Sequence, residues 1–148
     1  MKARDIAMKP PVVIQGDATL EQAALLIDAR NVGSLLVLDG ERLVGIVTDR
    51  DIVVRGVARA YSHTARIDSV MSTDVATIGA DADLEEAYRR IGTAGARRLP
   101  VVEGERIVGV LTVDDLLLHS VTDLERLAHP VVGELAFGHH PAPVPAVR

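Results

Sequence analysis

The feature that most constrains the fold is a motif that occurs twice, 64 residues apart. Gly45-Ile46-Val47-Thr48-Asp49-Arg50-Asp51-Ile52 recurs as Gly109-Val110-Leu111-Thr112-Val113-Asp114-Asp115-Leu116. The same register aligns further positions without a gap: Ile14 with Ile78, Asp17 with Asp81, Leu20 with Leu84, Ile27 with Ile91, Leu35 with Leu99, and Val37 with Val101. Agreement across half a chain indicates an internal duplication. A repeat of this length constrains the fold more than any single helix or strand does.

Each copy of the motif predicts a buried strand that runs directly into a helix. The aliphatic runs before the threonines are short and rich in β-branched residues, which is typical of a strand buried on both faces. Thr48 and Thr112 stand where an N-cap should, with Asp51 and Asp115 in the first helical turn. One interpretation is a capping box that needs no ligand. The other is a ligand site, because a helix N-terminus offers N–H groups to a phosphate and the aspartate can accept both hydroxyls of a ribose.

Composition narrows the class of ligand and partner. Hydrophobic residues make up 48% of the chain with one Phe, two Tyr and no Trp, so Val, Ile and Leu must wall any base-binding slot. The net charge of −5 argues against a nucleic acid partner, since no basic face of adequate size is visible in the sequence. The absence of cysteine excludes disulfides and thiolate chemistry and fits a cytoplasmic protein. No apolar run is long enough to span a membrane, and the first residues lead into no secretion signal.

The spacing of apolar runs and turn residues predicts an α+β fold with the order β-α-β-β-α in both halves, each after a short lead-in helix. In the first half we expect a lead-in turn at 4–8, strands at 12–14, 35–38 and 43–47, and helices at 19–30 and 48–58. In the second half the lead-in turn is at 67–71, the strands at 75–78, 99–102 and 106–111, and the helices at 83–93 and 113–120.

These elements set the expected domain boundaries. The first domain covers residues 1–60, a polar connector 61–65 and the second domain 66–121. A C-terminal helical extension is expected over 122–137, with an amphipathic helix at 122–128 that Pro130 ends. The proline-rich residues 138–148 are expected to be a disordered tail.

This order and motif resemble the CBS domain, named for cystathionine β-synthase, and residues 4 to 120 resemble a tandem pair of such domains. The resemblance is carried by Ile6-Ala7-Met8 and Val70-Met71, Asp17-Ala18-Thr19-Leu20 and Asp81-Ala82-Asp83-Leu84, Arg97-Arg98-Leu99-Pro100-Val101-Val102, and the two glycine-to-aspartate stretches. The sequence of residues 48–53 is similar to that of short stand-alone CBS-pair proteins, some of which are linked to stress responses. The first half departs from the family pattern at Ser34, where the second half has Arg98, so the two predicted pockets are not equivalent.

The resemblance implies two sheets packed with pseudo-two-fold symmetry and two clefts that often bind adenine nucleotides in this family. It assigns the ribose to the motif aspartates, the phosphate to the motif threonines and a reach toward phosphates to Arg98. It assigns the walls of the base to aliphatic residues of the first and hairpin strands, here Ile14, Ile78 and Pro100. Arg50 either faces phosphate from the first helical turn or lies on the solvated side. Which cleft Arg98 serves depends on how the halves pack.

Three functions of different classes follow. The prediction is a non-catalytic regulatory module that senses nucleotides of the AMP, ADP and ATP class, with no obligatory cofactor, a role in energy sensing, and a partner enzyme or regulator protein. The alternative is a ligand-free structural or protein-interaction module. An enzyme is disfavoured, because no nucleophile has a recognisable activator and no P-loop lysine appears. The isolated histidines predict no metal site. Apolar helix faces at Ile52, Val53, Val57, Leu116 and Leu117 predict a homodimer, as the resemblance also implies.

Overall fold

The computed structural model describes the backbone of residues 1–137 and the side chains of residues 1–132, and the predicted tail at 138–148 lies outside them. The first repeat contains α1 (Ala3–Ile6), β1 (Val13–Gln15), α2 (Leu20–Arg30), β2 (Ser34–Asp39), β3 (Arg42–Thr48) and α3 (Asp49–Asp51), which continues as a π-helix (Ile52–Gly56) and a 3₁₀ turn (Val57–Arg59). The second contains a 3₁₀ turn (Ile67–Ser69), β4 (Ile78–Gly79), α4 (Leu84–Ala94), β5 (Arg98–Glu103), β6 (Arg106–Thr112) and α5 (Val113–Phe137). The α+β class and the repeated order are as the sequence predicts.

The two repeats build the same three-stranded sheet. In each sheet the central strand pairs in parallel with the short first strand and antiparallel with the strand that follows it, in the orders β1-β2-β3 and β4-β5-β6. The hairpins turn at Gly40 and Gly104, which both adopt a φ of +63° that glycine accepts without strain. Because the central strand runs away from the motif and the hairpin strand returns to it, Ser34 pairs with Thr48 and Arg98 with Thr112.

The predicted helix starts are confirmed by their caps. The Thr19 hydroxyl accepts from the Gln22 N–H at 3.1 Å, and the Gln22 side chain accepts from the Thr19 N–H at 3.0 Å. Asp83 caps α4 by accepting from the Glu86 N–H at 2.9 Å. These side chains satisfy N–H groups that a helix cannot satisfy internally.

The lead-in segments are exchanged between the repeats. Ala3 of α1 is fully buried in the core of the second repeat, beside Ile78 and Leu99. In return, Ile67 and Val70 of the second lead-in are buried in the core of the first repeat. Neither repeat therefore has a complete core without residues that precede the other.

Each exchanged segment crosses the hairpin strand of the opposite repeat at the glycine of the motif. The Ser72 N–H donates to the Ile46 carbonyl at 2.9 Å, and the Met8 N–H donates to the Val110 carbonyl at 2.9 Å. A Cβ added at Gly45 would lie 2.8 Å from the Ser72 carbonyl oxygen, and one at Gly109 would lie 3.0 Å from that of Met8. The repeated glycine is thus required by a close backbone crossing.

The structure differs from the sequence prediction in three of the predicted helices and in one strand. The helix predicted to end at Ser120 and the one predicted for 122–128 are a single helix, α5, with Pro130 inside it. Residues 113–129 contain no helix breaker, and the missing N–H of Pro130 removes one hydrogen bond without ending the helix. The strand predicted at 75–78 is shortened to Ile78–Gly79, and the helix after Thr48 changes to π-helical geometry at Ile52.

The surface also corrects one part of the predicted dimer face. Ile52 and Leu116 are buried in the cores of their own repeats, so they offer no surface to another chain. Val53, Val57 and Leu117 are exposed, as predicted. No helix among the described residues is both long enough and apolar enough to cross a membrane.

Candidate functional site

The two motifs form matching helix starts at the ends of β3 and β6. In the first motif (residues 48–51) the Thr48 N–H donates to Asp51 Oδ2 at 3.0 Å, and the Asp51 N–H donates to Thr48 Oγ1 at 3.1 Å. In the second motif (residues 112–115) the Thr112 N–H and hydroxyl donate to Asp115 Oδ2 at 2.8 and 2.7 Å, and the Asp115 N–H donates to Thr112 Oγ1 at 3.1 Å. Both are reciprocal capping boxes.

The first motif is held further by Arg55, which lies one helical turn beyond Asp51. Arg55 Nε lies 3.7 Å from Asp51 Oδ1, and the Asp51 side chain is only 16% exposed. Arg55 Nη1 also donates to the Val70 carbonyl and to Ser72 Oγ, both at 3.1 Å. The aspartate of the first motif is therefore tied through one guanidinium to the lead-in segment of the second repeat.

The second motif lacks that tie. His119 occupies the position equivalent to Arg55, and its Nε2 lies 3.2 Å from Asp123 Oδ2. Among the described residues no hydrogen bond or ion pair reaches Asp115 Oδ1, whereas Asp51 Oδ1 has Arg55 beside it. The second motif therefore presents the carboxylate oxygen with more capacity to accept a ligand hydroxyl.

Arg98, the predicted reach toward phosphate, begins in the second repeat and ends beside the first motif. Its backbone pairs with Thr112. Its Nη2 atom lies 3.3 Å from the position of a Cβ added at Gly33, and Asp49 Oδ2 lies 3.7 Å from that same position. The Asp49 N–H donates to the Gly33 carbonyl at 3.1 Å, so this glycine adjoins the first motif. The cation therefore lies at the helix start of the opposite repeat.

Arg50 is exposed in the first turn after Thr48, with no ion pair among the described residues. Its backbone N–H donates to Asp49 Oδ1 at 2.8 Å. Its guanidinium is therefore solvated here, and its role toward a phosphate stays a prediction. The first motif nevertheless has two arginines within its surroundings, Arg50 and Arg98, while the second has Asp114 at the place of Arg50.

The three residues predicted to wall the base are differently placed. Ile14 is half-buried and packs against the core of the first repeat. Ile78 is buried in the core of the second repeat, and Pro100 is fully buried in the central strand. Their role toward a base stays a prediction. Of the three, Ile14 alone retains surface that a ligand could contact without displacing protein.

A cavity of about 1050 Å³ lies at the other end of the sheets, between the two hairpins. Matched residues of both repeats line it, including Arg42 with Arg106 and Leu38 with Val102, so it straddles the pseudo-two-fold axis. Its lining also holds four carboxylates against those two arginines. Carboxylates repel a phosphate anion, so this acidic cavity is a poorer place for nucleotide phosphates than the first motif, beside which Arg50 and Arg98 lie.

One ion pair beside the first sheet shifts the pKa of both partners. The Arg66 guanidinium hydrogen-bonds to Asp68, with Nη2 to Oδ2 at 2.6 Å, and lowers the pKa of that carboxyl. The same contact raises the pKa of Arg66. The Arg66 side chain is 61% exposed and that of Asp68 32%, so we expect the pair to contribute little to the free energy of unfolding.

Sequence reasoning selected the threonine and the last aspartate of each motif but gave no role to Gly33, Asp49, Arg55 and His119. Arg55 and His119 lie four residues after the motif aspartates, a spacing at which helical side chains meet. The sequence could therefore have predicted that the two aspartates have different neighbours. Gly33 and Asp49 acquire their place only through the packing of the two repeats. Among the described residues no group of His, Asp and Glu side chains is arranged to hold a metal ion.

Comparison with known proteins matches the family model "CBS domain" to residues 3–56 and again to residues 67–121. Protein YlbB of Bacillus subtilis is 37% identical over 109 residues, covering 72% of this chain and 73% of that protein. Hypoxic response protein 1 of Mycobacterium tuberculosis is 31% identical over 119 residues, covering 79% of this chain and 83% of that protein.

Two solved structures have a similar fold. The structure of Hypoxic Response Protein I with two coordinated zinc ions aligns with a TM-score of 0.73 and 30% identity, covering 80% of this chain and 98% of that one. The CBS domain pair of protein MJ0100, in complex with 5'-methylthioadenosine and S-adenosyl-L-methionine, aligns with a TM-score of 0.73 and 25% identity, covering 83% and 98%.

Proposed function

The chain belongs to the CBS domain family as a tandem pair, and from that premise we propose that it is a non-catalytic regulatory module that senses adenine nucleotides. The observation that carries the proposal is the pair of in-register helix starts, each with an aspartate one turn inside it. A helix N-terminus favours phosphate, and a fixed carboxylate favours the two hydroxyls of a ribose. Those two preferences together select a nucleotide over a simple anion.

We expect the two clefts to favour different parts of a nucleotide. Among the described residues Asp115 Oδ1 has no hydrogen bond or ion pair, whereas Arg55 Nε lies 3.7 Å from Asp51 Oδ1, so the second motif is the better place for a ribose. The first motif has Arg98 and Arg50 close to its helix start, so it is the better place for a chain of phosphates. We expect adenosine to prefer the second cleft and ATP to gain most in the first. The ratio of AMP to ATP would then set which cleft is occupied.

The alternative function is a ligand-free structural or protein-interaction module. It is favoured by the completeness of the capping boxes, because Thr and Asp satisfy each other in both motifs without any ligand. Under this alternative Asp115→Asn loses only a favourable charge at a helix start, about 0.3 to 1 kcal/mol of stability. Under the nucleotide proposal the same change weakens ligand binding by about 1.5 to 3 kcal/mol.

The deciding experiment is a thermal-shift screen of the full chain with AMP, ADP, ATP, S-adenosylmethionine and 5'-methylthioadenosine. A ligand at 100 times its dissociation constant adds about 2.7 kcal/mol to the free energy of unfolding, which raises the melting temperature by several degrees. Asp51→Asn and Asp115→Asn serve as matched variants, and Asp114→Asn removes a neighbouring charge as the control. No shift with any ligand would favour the ligand-free alternative, whereas equal shifts in wild type and all variants would place the ligand at a site that does not use Asp51 or Asp115.

The proposal extends to assembly and cellular context. The exposed Val53, Val57 and Leu117 favour a homodimer, which light scattering tests: a mass of one chain at micromolar concentration would contradict it. Adenine nucleotides are abundant in the cytoplasm, where we place the module and a partner enzyme or regulator protein that receives its signal. A role in energy sensing or stress response is tested by nucleotide-dependent capture of that partner, with Asp115→Asn as the control.

A further inference from the structure

Residues 123–132 of α5 project from residues 1–122 of the chain. The Tyr88 hydroxyl bonds to Ser120 Oγ at 2.7 Å and holds the first two turns against α4. Beyond Thr122 every described side chain, from 123 to 132, is exposed. Leu124 is 66% exposed, Leu127 72% and Val131 55%. Residues 123–132 of this helix therefore have almost no support from the part of the chain that the structure describes.

A lone helix of this kind is not stable in water on its own propensity, and its stability in a protein comes from packing of its apolar face. Pro130 weakens it further by removing a hydrogen bond inside the helix. The exposed leucines and valines also exceed what a solvated helix carries. A partner that covers this face would therefore stabilise the helix.

Five of the apolar residues of α5 follow a heptad pattern with alternating steps of four and three. The seam that they form, called here the α5 seam, consists of Leu117, Val121, Leu124, Ala128 and Val131. Its central pair is Val121 at position a and Leu124 at position d, the combination that favours two parallel strands. Pro130 takes position c, which lies outside the seam. The pattern therefore fits a helix with the same repeat.

We propose that the α5 seam pairs in parallel, in register, with the α5 seam of a second copy of this chain to form a two-stranded coiled coil. Parallel pairing places Leu127 of one chain beside Val132 of the other and Glu125 beside Ser120, so no like charges meet at these flanking positions. The seam begins at Leu117 on the surface of the folded pair, so it continues the dimer face proposed above. The inference rests on that proposed homodimer.

Charge argues against a membrane surface as the occupant. A helix that lies on a membrane carries Lys and Arg on its polar face. The polar residues between Thr122 and Pro130 include Asp123 and Glu125 against the single Arg126. A two-fold pairing of identical seams is instead self-complementary, as an interface between two copies of one chain must be.

The experiment uses the absence of cysteine from the chain. Val121→Cys places one thiol in the seam, and Arg126→Cys places one at the outward position f as the matched control. Under mild oxidation we expect the full-length Val121→Cys chain to form an interchain disulfide and the Arg126→Cys chain to stay unlinked. An antiparallel coiled coil is identified by preferential cross-linking between Val121→Cys and Val131→Cys chains in a mixture, and would overturn the proposal.

A second variant separates the seam from the dimer as a whole. Leu124→Glu would bury a charge in the seam, but Leu124 is 66% exposed within its own chain, so we expect the melting temperature of the variant at low concentration to change little. Its dimer dissociation constant should rise at least about tenfold relative to Arg126→Glu. A dimer that keeps wild-type affinity in Leu124→Glu and does not cross-link at Val121→Cys overturns the seam and leaves the homodimer. A wild-type chain that is monomeric overturns both.

Discussion

The Arg98 guanidinium of the second repeat lies beside Gly33 of the first, with Nη2 3.3 Å from the position of a Cβ on that glycine. The glycine carbonyl accepts the Asp49 N–H, so a cation from one repeat adjoins the helix start of the other. A site built in this way exists only when the two repeats are packed together. Binding of phosphate there would stabilise the packed pair over any opened arrangement.

This contact predicts how Arg98→Ala affects nucleotide binding. Loss of a charge-assisted contact to phosphate should weaken AMP, ADP and ATP by about ten- to a hundredfold and adenosine far less. Arg97→Ala, at the exposed neighbour, is the control. In an Asp115→Asn background, where the first cleft remains, Arg98→Ala should still act. In an Asp51→Asn background it should act little, and calorimetry that gives the opposite dependence would assign Arg98 to the second cleft.

The crossing at Gly45 predicts an ordered series of stability losses. A Cβ at Gly45 would meet Met71 Sδ at 2.5 Å and the Ser72 carbonyl at 2.8 Å, so Gly45→Ala should destabilise by about 1 to 3 kcal/mol. Gly109→Ala meets its neighbours at 3.0 Å and should cost less. Gly92→Ala, in α4 with open space around it, should stabilise by about 0.5 to 1 kcal/mol. Urea unfolding in which Gly45→Ala matches wild type would refute the close crossing.

The architecture was accessible from the sequence because the duplication repeats every cap, turn and buried run in register. The exchange of lead-in segments was not, since Ile67 and Val70 present the same apolar pattern whether they pack on their own repeat or on the other. Within the candidate site, the Thr and Asp capping pairs could be predicted from the residue spacing alone. The destination of Arg98 was not, because it depends on the angle between two sheets. The continuity of α5 through Pro130 was missed because proline propensity was weighed without the surrounding helix.

The ion pair of Arg66 and Asp68 predicts a pH dependence of stability. The hydrogen bond from Arg66 lowers the pKa of Asp68 in the folded chain below its unfolded value of about 3.9. Its stabilisation is therefore present above the unfolded pKa and is lost as pH falls through the folded pKa. Asp68→Asn should be less stable than wild type at pH 7, and the difference should shrink as pH falls below about 4. Arg66→Gln is the matched control, and a difference that grows in acid would contradict the assignment.

The different contacts of Arg55 and His119 predict that a substitution at His119 changes the adenosine affinity of the second cleft. His119→Arg places a guanidinium one turn beyond Asp115, where Arg55 stands relative to Asp51, and should occupy the open carboxylate oxygen. Adenosine binding in the second cleft should then weaken by about two- to tenfold, since an i,i+4 pair contributes a few tenths of a kcal/mol when exposed and more when partly buried. His119→Gln removes the imidazole without adding a cation and is the control. Calorimetry that returns equal adenosine affinities for His119→Arg and His119→Gln would show that the engagement of Asp115 does not set the difference between the clefts.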